Sequence, residues 1–308
     1  MPIDYFHIND NSLKNQTFYF AGTDGWQIWN KPPNCKWVNF YLVGGGAGGQ
    51  GGRIGSTLNR NGGNGGGSAA FSYVTFPGFA LPDTLYLLVA SGGTGGSSGA
   101  GQGSVGGLSY VCVIPDITSP YNILMKSGTA GAGTVADSSI AGTVITAADV
   151  LLADIAFVSA YPGRAGGAGG VTSTAAVAVT SSGIPFTGGA GGAGCTSGGV
   201  LGVAGNITGI LDFPTVSGGT NTAVAGATAS KGSGGYSTRE NFVGPHFNTP
   251  MYFTGGGGGG AASNATGIGG AGGDGSFGCG GGGGGVGGNT TAGIGGRGGD
   301  GFIMITVS

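Results

Sequence analysis

The glycines of this chain are spaced in threes. Between Gly44 and Arg53 the sequence reads GGG-AGG-QGG-R, so Ala47, Gln50 and Arg53 stand three apart. The same spacing recurs at Asn61 and Asn64, at Ala165, Ala168 and Val171, and at Thr187, Ala190 and Ala193. It recurs again at Ile268, Ala271, Asp274 and Phe277, and at Ile294, Arg297 and Asp300. Three residues per turn is the period of polyproline II, which rises about 3.1 Å per residue and makes no internal hydrogen bonds. A GGX triplet in that conformation puts every X on one edge and leaves two edges as bare backbone. One such run alone would be solvated, and glycine loses the most entropy on ordering. Several runs side by side can pair their N–H and C=O groups, as buried backbone groups must. The spacing therefore predicts a bundle of short polyglycine-II helices. Gly/Ser-rich segments more usually form flexible linkers, but here apolar strand-like segments bracket the runs.

Composition supports an ordered chain of an unusual kind. Glycine accounts for 79 of 308 residues and charged residues for 7%, against averages of roughly 7% and about 25%. Few side chains remain to build a catalytic site. Disorder by composition needs low hydrophobicity and high net charge, whereas this chain is 39% hydrophobic with a formal charge of −2. Collagen needs one glycine per triplet and abundant proline, and here there are 12 prolines. The ten Lys and Arg residues are scattered, which argues against a nucleic-acid partner. No apolar stretch is long enough to cross a membrane, so no membrane insertion is expected. Met1 to His7 lacks the basic start and apolar run of a signal peptide. Cys35, Cys112, Cys195 and Cys279 lie too far apart for a metal site and read as buried thiols of a reducing compartment.

Strand signals surround the runs. Residues 16–20 (QTFYF), 26–29 (WQIW), 36–43 (KWVNFYLV), 69–76 (AAFSYVTF), 84–90 (TLYLLVA), 108–114 (LSYVCVI), 121–125 (YNILM) and 301–307 (GFIMITV) are rich in aromatic and β-branched residues. The expected fold class is mainly β: an antiparallel β-sandwich or barrel base combined with the polyglycine-II bundle, and at most one short helix. That helix would start at Thr146 with Asp149 three positions on and use Val150, Leu151, Ile155 and Val158 as its face. We divide the chain into an N-terminal β base or attachment region, 1–43, and a glycine-rich domain, 44–308, with insertions at about 109–160 and 206–253; no break in composition is sharp, and one continuous domain is the alternative. Two low-glycine excursions, at about 171–186 and 206–253, interrupt the repeat. The second holds Tyr236, Arg239, His246 and Tyr252, the candidate receptor-binding residues, because aromatics and arginine are enriched at interfaces. The plainer alternative is a local core made there by Phe242, Phe247 and Phe253.

Catalytic signatures are absent. Neither His7 nor His246 has a nucleophile motif nearby, and no G-x-S-x-G or H-E-x-x-H element occurs. Matches to G-x-G-x-x-G arise by chance in a chain a quarter glycine, and the P-loop ending is reversed at Lys231-Gly232. Asp274 and Asp300 sit in GGDG contexts, but calcium-binding β-helices need an aspartate in each tandem repeat. No catalytic residue, metal or cofactor is expected.

The entry segment CKWVNFYLVGGGAGGQGG and the terminal GGRGGDGFIMITVS together resemble the glycine-rich domain of bacteriophage tail-fibre and other virion surface proteins. Polyglycine-II adhesin tips are its best structural parallel. The resemblance implies a non-enzymatic virion component, a spike, fibre or tail protein assembled in the host cytoplasm. It implies a homo-oligomer, a trimer in the simplest form, joined to other virion proteins through its N-terminal region and to a host cell-surface receptor. The long 206–253 segment departs from the family pattern. The competing readings are an ice-binding protein, for which the X positions are too mixed, and another extracellular glycine-rich structural protein.

Overall fold

The computed structural model describes residues 16–22, 25–55, 60–131, 142–171, 175–180, 186–208, 215–235, 253–263, 266–288 and 291–308. The base is a pair of antiparallel sheets. One has five strands in the order β1 (Gln16–Phe20), β11 (Phe302–Val307), β3 (Trp37–Val43), β4 (Phe71–Pro77) and β8 (Phe157–Tyr161). The other has four: β2 (Trp26–Asn30), β5 (Thr84–Leu88), β6 (Tyr110–Cys112) and β7 (Ile123–Lys126). A short parallel pair, β9 (Val179–Thr180) and β10 (Ile207–Thr208), lies apart from them.

The sheets form a sandwich because alternate residues of each are apolar and face the other. Phe40, Leu42, Val74, Phe76, Ile303 and Ile305 pack in one buried cluster with Trp29, Leu85, Leu87, Val111, Leu124 and Met125. Trp29 of the smaller sheet meets Phe40 of the larger edge to face, with centroids 6.0 Å apart and planes at 77°, a favoured arrangement of ring quadrupoles.

The strands do not stop at the sandwich; they run on as glycine helices. β3 and β11 pair antiparallel, with Val43 opposite Phe302. Beyond that pair the same two chains continue through Gly46 N–H to Gly299 O, Gly49 to Gly296 and Gly52 to Gly293. The ladder period has changed from two to three. Successive N–H groups of run 44–53 now point to three different neighbours. Gly45, Gly48 and Gly51 donate to residues 107, 104 and 101, and Ala47, Gln50 and Arg53 to residues 67, 64 and 61. A strand carrying side chains can be approached only in the plane of its sheet. A glycine run can be approached from every side.

The helix expected after Thr146 does not form. Two separate single 3-10 turns, Ala147–Asp149 and Ala153–Ile155, stand in its place. Asp149 accepts the Thr146 N–H at 2.9 Å and its hydroxyl at 3.0 Å, as a capping carboxylate would. Two features then end the coil. Val150 makes a β-bridge to Met125, and Leu152 adopts φ 63°, in the left-handed region, where L-residues are strained. Val158, assigned by spacing to a helix face, lies instead on β8. Residues between 109 and 160 supply β6, β7 and β8. Part of the second excursion belongs to the bundle as well. Gly219, Thr222, Gly232 and Gly235 donate hydrogen bonds to Gly258, Ala261, Ala271 and Asp274. The signal hidden by the glycine count is serine and threonine standing at glycine positions.

Candidate functional site

The bundle is organised around two hexaglycine runs, residues 255–260 and 280–285. Around the second, every N–H and C=O is used at intervals of three. Gly280, Gly283 and Val286 donate to Thr187, Ala190 and Ala193; Gly281, Gly284 and Gly287 donate to Ala47, Gln50 and Arg53; Gly282 and Gly285 donate to Gly273 and Gly270. Three further runs donate inward, from Gly256, Gly259 and Ala262, from Gly63 and Gly66, and from Gly293, Gly296 and Gly299. Six neighbours surround the run, some parallel and some antiparallel to it. A methyl group has nowhere to go. A Cβ at Gly283 would sit 1.9 Å from Gly63 O and 2.9 Å from Gly192 N, and one at Gly258 would sit 1.8 Å from Gly191 O. The runs without X residues are those in the middle.

Outer runs keep their X residues, and many polar ones close the lattice where a neighbour is missing. Asn64 Oδ1 accepts the Gly169 N–H, Asn206 Oδ1 that of Gly218, and Asn221 Oδ1 that of Ala261. Ser104 Oγ takes the Thr94 N–H at 2.7 Å and Ser230 Oγ the Thr220 N–H at 2.6 Å. Asp274 and Asp300 act in the same way, accepting from Arg297 N–H and Gly92 N–H at 2.8 Å each. Their carboxylates also pair with Lys231 and Arg297. Among the described residues no group of three or more His, Cys, Asp and Glu could hold a metal ion.

The thiols are mostly sealed. Cys112, Cys195 and Cys279 are buried and Cys35 is half-buried, all four unbridged. Burial pushes the Cys112 and Cys279 thiols up to about 12, which removes the thiolate needed for nucleophilic chemistry. Arg60 is also buried. Its Nη1 donates to Gly287 O and its Nη2 to Cys195 Sγ at 3.2 Å. Cys195 in turn donates to Thr196 O at 3.3 Å.

Tyr236, Arg239, His246 and Tyr252 lie outside the described residues, as do Phe242 and Phe247. Both flanks of their segment are described. Gly235 abuts the other flank, since a Cβ there would come within 2.0 Å of Thr254 O. Phe253 is buried at the seam between base and bundle, stacked on Phe186 with centroids 5.1 Å apart and packed on Phe302. That seam also holds Val43, Phe71 and Cys279. At its turn Gly278 has φ 68°, and a Cβ there would lie 2.3 Å from Val43 Cγ1. Phe253 thus belongs to a core, but to the core that fastens the bundle to the sandwich.

Among the described residues, the outer face of the five-stranded sheet exposes a group of aromatic rings. Strand register arranges it in rows. One row reads Phe157, Thr75, Asn39, Thr306, Thr17, and the next Ser159, Tyr73, Tyr41, Met304, Tyr19. Trp37 stands at the end of β3 with its ring 6.3 Å from that of Phe157. Phe157 is 69% exposed, Tyr161 47%, Trp37 42% and Tyr73 38%. Tyr41 is more deeply set, and burial holds its hydroxyl protonated well above the ordinary tyrosine range. The aromatics of β8 escape a helical reading, yet F-V-S-A-Y at residues 157–161 carries the aromatic and β-branched residues of a short strand.

Residues 22–152 match the family model described as a glycine-rich domain. The matched segment runs from before β2 to beyond β7 and includes the first glycine runs. No curated protein matches the chain.

Proposed function

We propose that this protein is a non-enzymatic structural component of a bacteriophage virion, a spike, fibre or tail element that carries a host-receptor-binding surface. The observation that supports it best is the bundle interior. A body whose core is backbone paired on six sides is stiff, nearly uncharged and poor in sites for chemistry. Those are properties of a display scaffold, with recognition left to segments where glycine stops. The resemblance of the entry and exit segments to virion surface proteins points the same way. A homotrimer joined to the particle through its N-terminal region is the assembly this reading expects.

The ice-binding alternative calls for a regular face of small or threonine side chains. The exposed X positions instead include Ile294, Arg297 and Asp274. Two experiments on the purified full chain separate the readings. Light scattering with negative-stain microscopy should show an elongated multimer, and antibody labelling should mark an appendage on particles from the source lysate. A compact monomer that slows ice recrystallisation would overturn the proposal.

A further inference from the structure

We infer that the outer face of the five-stranded sheet is a binding site for a neutral oligosaccharide. The inference stands on this surface alone and holds whether or not the chain is carried on a virion.

Three features of the face select that chemistry. First, its exposed rings are platforms. Trp37 lies on one side of the polar row through Asn39 and Thr75, Tyr73 lies on the other, and Phe157 closes the row at its β8 end. The two sides are four residues apart along the strands, about 14 Å at strand rise, room for a short chain of sugar rings. The π faces of aromatic rings are electron-rich and attract positively polarised hydrogens, such as the C–H groups on one side of a pyranose. Second, the groups between the rings are hydrogen-bonding and uncharged. Thr75 Oγ1 donates to Asn39 Oδ1 at 2.7 Å, and the Asn39 Nδ2 has no partner among the described residues. The Ser159 hydroxyl, one row away, has no partner among the described residues. Third, none of the outward positions of these strands is Asp, Glu, Lys or Arg. A purely apolar partner would leave the Asn39 and Ser159 groups unpaired, which costs free energy on burial. An anionic ligand finds no counter-charge at these positions. A ligand with apolar C–H faces and many hydroxyls satisfies both kinds of group.

The platform is also rigid. β3 and β4 are interior strands of the sheet, backed by the buried core beneath. Binding therefore needs little reordering, which is what lets weak individual contacts add up.

The test titrates the full chain with cellohexaose, maltohexaose and the hexamer of N-acetylglucosamine, read by isothermal titration and by amide chemical shifts of β3, β4 and β8. At least one should bind, with shifts confined to this face. Trp37→Ala and Phe157→Ala should each weaken it about tenfold or more, with unchanged melting temperature. Trp37→Phe should restore most of the loss, and Asn39→Asp should weaken binding without touching a ring. No binding of any of the three at millimolar concentration would overturn the inference. So would binding that both alanine variants leave intact. Self-association lost in Trp37→Ala would also overturn it, by assigning the face to a second copy of the chain. Protection of the Trp37 indole from acrylamide quenching in the free protein would do the same, by showing the face already covered.

Discussion

The sandwich and the bundle are two cores built on opposite rules. Between the sheets, Trp29, Phe40, Leu85 and Ile303 fill space with side chains, and backbone polar groups are satisfied within the sheets. In the bundle, backbone itself fills the space, and satisfaction comes from six directions. The first kind of core responds to volume and shape. The second responds to the presence of any side chain at all. Two substitutions that look alike on paper should therefore differ by their location alone.

The largest expected effect comes from the smallest chemical change. Gly283→Ala adds one methyl group where the nearest atoms are backbone on every side. It should cost upwards of about 3 kcal/mol, or prevent folding, as read by thermal melting. Leu85→Met, at the centre of the sandwich, should cost under about 1.5 kcal/mol, because volume-conserving swaps repack. If the two variants melt together, the distinction between the cores is broken.

The Thr146 turn gives an intermediate effect that depends on pH. The Lys126 ammonium, 2.7 Å from Asp149, and the Thr146 donors hold the Asp149 carboxyl below the usual carboxylate range. A folded-state value below the unfolded one means stability present above the unfolded pKa, about 3.9, and lost as pH falls through the folded value. Asp149→Asn should cost about 1 kcal/mol at neutral pH. The difference from wild type should shrink below about pH 4. A difference that stays constant from pH 7 to acid would contradict the assignment.

The smallest contrast lies within one dipeptide. A Cβ at Gly106 would meet Gly45 O at 2.1 Å, whereas one at Gly107 has nothing nearer than 3.5 Å. Gly107→Ala should fall within about 0.5 kcal/mol of wild type, and Gly106→Ala should lose clearly more. Equal melting temperatures would mean that the outer runs are not packed as described.

Much of this division was legible in the sequence. Strands β1 to β7 and β11 announce themselves through aromatic and β-branched runs, and triplet spacing identifies the glycine helices. The seams were harder. β8 was masked by an apparent capping box at Thr146 and Asp149, which forms locally without a helix to cap. Phe186, Phe253 and Phe277 come from three distant segments, and only the folded bundle brings them onto Phe302. Residues 217–235 read as an excursion because serine and threonine replace glycine. On an outer run such side chains point away from the lattice, and Ser230 even turns back to accept a neighbour's N–H. The same logic explains the hexaglycines. An X residue needs a side left clear of neighbouring backbone, occupied by solvent at Ile294 and by other side chains at Ala190 and Ala193, so a run with none is one with no such side.

Amide exchange measured residue by residue tests the backbone core most directly. If six neighbours hold residues 280–285 as described, their amides should exchange as slowly as those of β3 and β11, while the exposed edge of run 91–97 exchanges faster. Exchange of the hexaglycine amides at the free-peptide rate, with the strands protected, would mean that the bundle is not a core and would contradict the account.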